Sequence, residues 1–84
     1  MRTKNIVGPR IREARRKLKI TQMSLAAKLQ LLGVKIDRSS IAKLESGKRP
    51  VTDIEIAAIS KVLGTDIPWL FEGSDHLVDQ LDVD

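Results

Sequence analysis

The sequence of 84 residues contains no cysteine, which excludes disulfide bonds and any zinc site built from thiolates. Its single histidine, His76, has no second histidine or cysteine to share a metal, so we expect no metal site and no cofactor. Only Trp69 and Phe71 are aromatic, so the core must be mainly aliphatic. The start of the chain lacks the apolar stretch of a signal peptide, and no run approaches the ~18 apolar residues of a membrane span. These absences predict a soluble, cytoplasmic chain that does not associate with membranes.

Charge divides the chain into two halves. Residues 1–49 contain fourteen Lys or Arg and three acids, a surplus of eleven positive charges. Residues 50–84 contain one Lys and eight acids, a surplus of seven negative charges. A basic half joined to an acidic half favours one surface that binds a polyanion and another that repels it. The alternative is a pair of solvated charged surfaces with no such role.

Hydrophobic periodicity predicts an all-α fold, a compact bundle of five short helices with no sheet. Each helix has a recognisable start signal. In chain order these signals are Gly8-Pro9, Thr21, Asp37, Thr52 with Glu55, and Pro68.

We expect one domain over residues 1–73 and an acidic tail over residues 74–84, which is either a frayed helix or a segment that binds a protein partner.

The segment from Asp37 to Pro50, DRSSIAKLESGKRP, has an unusually small apolar face. On a helical wheel, Ile41 and Leu44 fall on one side. The opposite side presents Arg38, Ser39, Ala42, Lys43 and Ser46. Cations, a hydroxyl and a small alanine suit the major groove of DNA, which admits one α-helix. Taken alone, however, an ordinary solvent-exposed helix is the simpler explanation.

The neighbouring motifs change that balance. TQMSLAAKL, followed by DRSSIAKLESGKRP and a capped helix, resembles the Cro and lambda-repressor type of helix-turn-helix regulator, the XRE family. The resemblance extends from Ile6 to Glu72. It implies a bacterial or phage-encoded transcriptional regulator, mainly a repressor, that binds double-stranded DNA in a sequence-specific manner.

The resemblance also implies a role for each matching residue. The third helix becomes the recognition helix, and its predicted base contacts are Arg38, Ser39, Ala42 and Lys43. The predicted phosphate contacts are Gln22, Ser46, Lys48 and Arg49. Glu45 is expected to face away from DNA and to form an orienting ion pair with an arginine of the first helix such as Arg15.

One departure from the family concerns the turn before the recognition helix. The residues QLLGVKID separate Leu29 from Arg38, which makes the connection longer than the family's usual tight turn. We expect the second helix to continue through Leu32. We also expect the Ile36 side chain to pack the connection against the core. Lys35 is then a further candidate phosphate contact.

Apolar residues in the acidic half predict a homodimer interface formed by Trp69, Leu70, Phe71 and Leu77. The alternative is that these residues complete the core of the protomer. A dimer would bind a palindromic operator whose half-sites lie about one helical turn apart.

The sequence also bears on three other functions. An enzyme is not expected, because the chain has no cysteine nucleophile, no phosphate-cradling glycine loop and one histidine. The antitoxin half of a toxin–antitoxin pair, with the acidic tail bound to the toxin, stays open. So does a protein-interaction module that binds no DNA.

Overall fold

The structure, a computed structural model, describes residues 2–82, so Met1, Val83 and Asp84 lie outside the described residues. Six helices and no β-strand occur in this range. They are α1 (Gly8–Lys17), α2 (Gln22–Leu31), α3 (Arg38–Glu45), α4 (Asp53–Leu63), α5 (Ile67–Phe71) and α6 (Asp75–Val78). The predicted all-α bundle is confirmed. The sixth helix, α6, is a single turn within the acidic tail, where the sequence left open a frayed helix or a segment that binds a partner.

The capping side chains start the helices where the sequence predicts. Thr21 and Asp37 each accept a hydrogen bond from the backbone N–H three residues later, at 3.0 Å and 2.7 Å. Thr52 and Glu55 form the reciprocal capping box of α4. Each cap satisfies a backbone donor that the first turn of a helix leaves free. These three caps therefore set the starting points of α2, α3 and α4.

The core is aliphatic, as the scarcity of aromatic residues requires. Its buried members come from all of the first five helices and the segments that join them. They are Val7, Ile11, Ala14, Leu25, Ala26, Leu29, Ile36, Ile41, Leu44, Ile59, Leu63 and Leu70. Trp69 packs against this cluster and is partly buried. Since α3 contributes only Ile41 and Leu44, its other side chains are available for other contacts.

The extended turn between α2 and α3 is present. Helix α2 ends at Leu31 and Leu32 is its C-cap, with 46% of that residue exposed, so the predicted continuation through Leu32 is one residue too long. The Val34 N–H donates to the Leu29 carbonyl at 3.0 Å, and the Gln30 amide donates to the Ile36 carbonyl at 3.0 Å. Ile36 is buried in the core, as predicted. The longer connection is thus an ordered part of the domain.

The tail returns to the start of the chain. The Thr3 N–H donates to the Gln80 carbonyl at 2.8 Å, and the Asp82 N–H donates to the Thr3 carbonyl at 2.6 Å. Thr3 and Leu81 form an isolated parallel bridge. Residues 80–82 therefore lie against residues 2–7, which we call the N-terminal segment.

Candidate nucleic-acid interface

The outward face of α3 is the centre of the candidate site. Ile41, Leu44 and Glu45 are buried. Arg38, Ser39 and Lys43 are exposed and Ala42 is half-buried, so the four residues predicted as base contacts all reach the surface. The small Ala42 side chain between longer neighbours lets a binding partner approach the helix axis closely.

A buried ion pair holds this helix against α1. The Arg15 guanidinium donates to both carboxylate oxygens of Glu45, from Nε at 2.7 Å and from Nη2 at 3.0 Å. The side chains are 11% and 2% exposed. Arg15 Nη1 donates to the Ile20 carbonyl at 2.8 Å, which ties in the turn before α2. The predicted pair is confirmed, and the Glu45 hydrogen bonds raise the pKa of Arg15 above its ordinary value.

Gln22 joins the same pair from α2. Its side-chain amide donates to Glu45 Oε1 at 3.1 Å, so one carboxylate accepts hydrogen bonds from α1 and from α2. This hydrogen bond supports α3 from the side of α2, in addition to the phosphate contact that the resemblance implies for Gln22. A surface depression beside it is lined by Arg15, Thr21, Gln22, Met23 and Arg38. The structure thus brings Gln22 and Arg38 together at the first turn of α3.

The loop after α3 carries the remaining predicted phosphate contacts. Gly47 adopts a left-handed conformation with φ of 75°, which directs the chain out of the helix. The Lys48 side chain is exposed, and its N–H donates to the Lys43 carbonyl at 2.8 Å. The Ser46 hydroxyl is directed back at the Ala42 and Lys43 carbonyls, at 3.0 Å and 3.1 Å. Lys48 is therefore the exposed cation of the loop.

Arg49 has an intramolecular partner that the sequence did not reveal. Its guanidinium donates to both oxygens of Glu55, at 3.0 Å and 2.9 Å. Glu55 Oε1 also accepts from the Thr52 N–H at 3.0 Å as part of the capping box. The Arg49 hydrogen bonds lower the pKa of the Glu55 carboxyl, and the same bonds raise the pKa of Arg49. This pair ties the loop to the start of α4.

Asn5 is a site residue that sequence reasoning missed. Its buried side-chain amide donates to the Leu44 carbonyl at 2.9 Å and to the Arg49 carbonyl at 2.8 Å. Its oxygen accepts from the Gly8 N–H at 2.7 Å. All three bonds link the N-terminal segment to the end of α3, the loop and the start of α1. Asparagine provides both the donors and the acceptor.

Gly8 allows the helices to approach at this point. A Cβ added there would collide with the Leu44 carbonyl oxygen. The start of α1 therefore lies directly against the end of α3, and only a residue without a side chain fits.

Lys35 lies elsewhere on the surface. It is exposed in the connection before α3 and lines a depression with Gln30, Ile36 and Asp37. Among these neighbours, none is a base contact predicted from the sequence.

The predicted dimer residues fall into two groups. Leu70 is completely buried in the core, so it is corrected from an interface residue to a core residue. Leu77 and Trp69 are half-buried, and the Trp69 ring lies under the Arg10 guanidinium at 4.3 Å. Phe71 is 38% exposed. Ile67, one turn before Phe71 on α5, is also exposed.

The described part of the chain offers neither a metal site nor a membrane-spanning helix. No group of three or more His, Asp or Glu side chains is placed to hold a metal ion there. No helix within residues 2–82 has the length and apolar content that crossing a bilayer requires.

The family of the chain follows from this geometry and from its relatives. A family model described as Helix-turn-helix matches residues 11–70, which includes α2 to α4 and most of α1 and α5. The chain belongs to this helix-turn-helix family, and within it to the XRE, or Cro and cI, type of transcriptional regulator.

Three known proteins are similar to this chain in sequence or in fold. HTH-type transcriptional regulator DicA of Escherichia coli (strain K12) is 40% identical over 76 residues, which is 89% of this chain and 53% of the relative. The chain thus spans about half the length of that curated relative.

The solved structures of two further relatives are similar in fold. The restriction-modification controller protein C.AhdI from Aeromonas hydrophila is 29% identical with a TM-score of 0.68, covering 77% of this chain and 87% of its own. The P22 c2 repressor, solved in complex with synthetic operator 9T in the presence of Tl+, is 28% identical with a TM-score of 0.68. That match covers 82% of this chain and 97% of the repressor chain. These relatives are regulators, and none is named as an enzyme.

The buried pair gives a first testable prediction. Glu45→Gln should lower the free energy of unfolding by about 3 kcal/mol, because it leaves the Arg15 charge buried without a counterion. Urea denaturation followed by circular dichroism measures the loss. Glu13→Gln is the matched control, since Glu13 pairs with Arg10 and Lys17 at the surface and should cost less than about 1 kcal/mol. Equal effects of the two variants would contradict the assigned role of Glu45.

The Arg49–Glu55 pair predicts a pH dependence. Because the folded pKa of Glu55 is lowered, its stabilisation is complete above the unfolded pKa near 4.5 and is lost as pH falls through the folded value. Glu55→Gln should therefore be less stable than the parent by about 1.5–3 kcal/mol at neutral pH. The difference should shrink on acidification below about pH 4.5. Urea midpoints of both proteins across this range test it, and a difference that stays constant would refute the pairing.

Proposed function

We propose that the chain binds double-stranded DNA in a sequence-specific manner, with α3 in the major groove, and acts as a transcriptional repressor. One observation carries the proposal. Arg38, Lys43 and Lys48 are exposed on α3 and the loop after it, and none of them forms an ion pair within residues 2–82. By contrast, buried or half-buried arginines such as Arg15 and Arg49 are paired. Unpaired cations at one place are what an anionic partner requires.

The two ends of α3 serve different parts of recognition. Arg38 at the first turn is positioned for bidentate hydrogen bonds to a guanine edge, with Ser39, Ala42 and Lys43 along the same face. Lys48, and Gln22 through its second amide hydrogen, contact backbone phosphates. Phosphate contacts fix the orientation of the protein, whereas base contacts select the sequence. Arg49 is assigned to holding the loop rather than to phosphate binding, because both ends of its guanidinium are bonded to Glu55.

Relatives support the proposal in a limited way. The P22 c2 repressor was solved on a synthetic operator, and its chain is covered almost completely by this fold. DicA is a transcriptional regulator, although this chain spans only about half of its length. The DNA-binding unit proposed here is residues 1–73, with residues 74–84 as the tail.

Two substitutions separate the proposed roles. Arg38→Ala should weaken the preferred duplex by about 1–3 kcal/mol and flatten the preference at one base step. Lys48→Ala should weaken all duplexes alike and reduce the salt slope by about one unit. The preferred duplex is obtained by selection from a random pool, and fluorescence anisotropy measures each affinity. Lys61→Ala, an exposed cation of α4 in the acidic half, is the control and should change neither quantity. Identical behaviour of Arg38→Ala and Lys48→Ala on preferred and random duplex would refute this division.

The proposal includes a homodimer on a palindromic operator. One domain of this size contacts a limited stretch of duplex, and half-sites about one helical turn apart require two copies. The exposed apolar side chains of α5, Ile67 and Phe71, lie one turn apart on one face of this helix, in the acidic half that DNA would avoid.

Replacement of an interface residue tests the dimer. Phe71→Ser should raise the dimer dissociation constant about tenfold, because burial of the ring is lost. Sedimentation equilibrium measures it, and affinity for a two-half-site duplex should fall in parallel. Ile54→Ser removes another exposed apolar residue, on α4, and is the matched control. Dissociation by Ile54→Ser but not by Phe71→Ser would place the interface elsewhere.

A further inference from the structure

The N-terminal segment is built onto the DNA-binding loop. The Lys4 N–H donates to the Gly47 carbonyl at 2.8 Å, and the Asn5 side chain bonds the Leu44 and Arg49 carbonyls. A Cβ at Gly47 would collide with the Thr3 side chain, so the loop and the N-terminal segment are in direct contact. Lys4 is therefore held next to the loop that presents Lys48.

The acidic tail covers the same segment from its other side. Residues 80–82 form two backbone hydrogen bonds with Thr3. These bonds bring the Asp82 carboxylate to 3.5 Å from Lys4 Nζ. The two side chains are 42% and 28% exposed, so the pair is reachable from solvent. A phosphate that approached the loop would meet Lys4 already paired with Asp82.

We propose that Lys4 is a further phosphate-binding residue, and that Asp82 of the tail competes with DNA for it. This inference rests on the proposed function. The tail would act as an internal competitor that mimics the negative charge of the DNA backbone and weakens binding. An exposed ion pair of this kind is weak, so DNA displaces it readily and yet loses affinity in doing so.

The experiment compares Asp82→Asn with Asp79→Asn in the full chain. Both variants remove one negative charge from the tail, but Asp79 is exposed and forms no ion pair within residues 2–82. The affinities are measured by fluorescence anisotropy with a short labelled duplex of mixed sequence, at salt between about 50 and 200 mM. Asp82→Asn should tighten binding about two- to fivefold, and Asp79→Asn should have a smaller effect.

Lys4→Ala, alone and combined with Asp82→Asn, completes a double-mutant cycle. The gain from Asp82→Asn should disappear when Lys4 is already alanine. Thermal denaturation confirms that each variant is folded. Since Lys4 bonds Gly47 through its backbone, that contact survives the substitution.

Each outcome bears on the proposal. Equal gains from Asp82→Asn and Asp79→Asn would overturn it, because diffuse charge would then explain both. A gain that persists in the Lys4→Ala background would also overturn it. If the parent and every variant fail to bind any duplex at low salt, the proposed function itself fails. Normal binding by the parent with no effect of Asp82→Asn rejects only the competition.

Discussion

Glu45 lies on the inner side of α3, where its carboxylate has lost contact with water and must find hydrogen-bond donors inside the protein. Arg15 of α1 and Gln22 of α2 supply three such bonds. A buried ion pair adds little net stability compared with apolar packing, but any arrangement that separates its partners is strongly penalised. The relative positions of α1, α2 and α3 therefore depend on this carboxylate, and so does the direction in which Arg38 and Lys43 point.

The last turn of α3 is also held by a second kind of contact. Asn5 binds carbonyls of the last turn and the loop, and Gly8 lets α1 approach closely enough for those bonds to form. The Arg49–Glu55 pair then connects the loop to α4. Hydrogen bonds to a buried side chain require defined geometry. The exposed face of α3 is thus oriented from the C-terminal end of the helix, by contacts to Leu44 and Glu45 on its inner side.

Features that depend on local sequence were predictable, and features that depend on distant partners mostly were not. The caps at Thr21 and Asp37 follow from residues adjacent in the chain, and the Arg15–Glu45 pair follows from the repulsion that a carboxylate facing DNA would meet. The role of Asn5 was not predictable, because its partners Leu44 and Arg49 are distant in the sequence and no local motif indicates these contacts. Leu70 was predicted as an interface residue because it is apolar and belongs to the acidic half, but the tertiary packing of α5 places it in the core.

The basic half of the chain carries far more positive charge than its own acids can balance. Its few carboxylates are not spread evenly over the cations. Glu45 neutralises the most deeply buried arginine, Arg15, while Glu13 pairs with Arg10 and Lys17 on the surface of α1. The third acid, Asp37, caps the start of α3, and no carboxylate forms an ion pair with Arg38 or Lys43 within residues 2–82. In the proposed function, folding uses the buried, paired arginines and DNA binding uses exposed cations of the same half, so the basic surface adds no unpaired charge to the core.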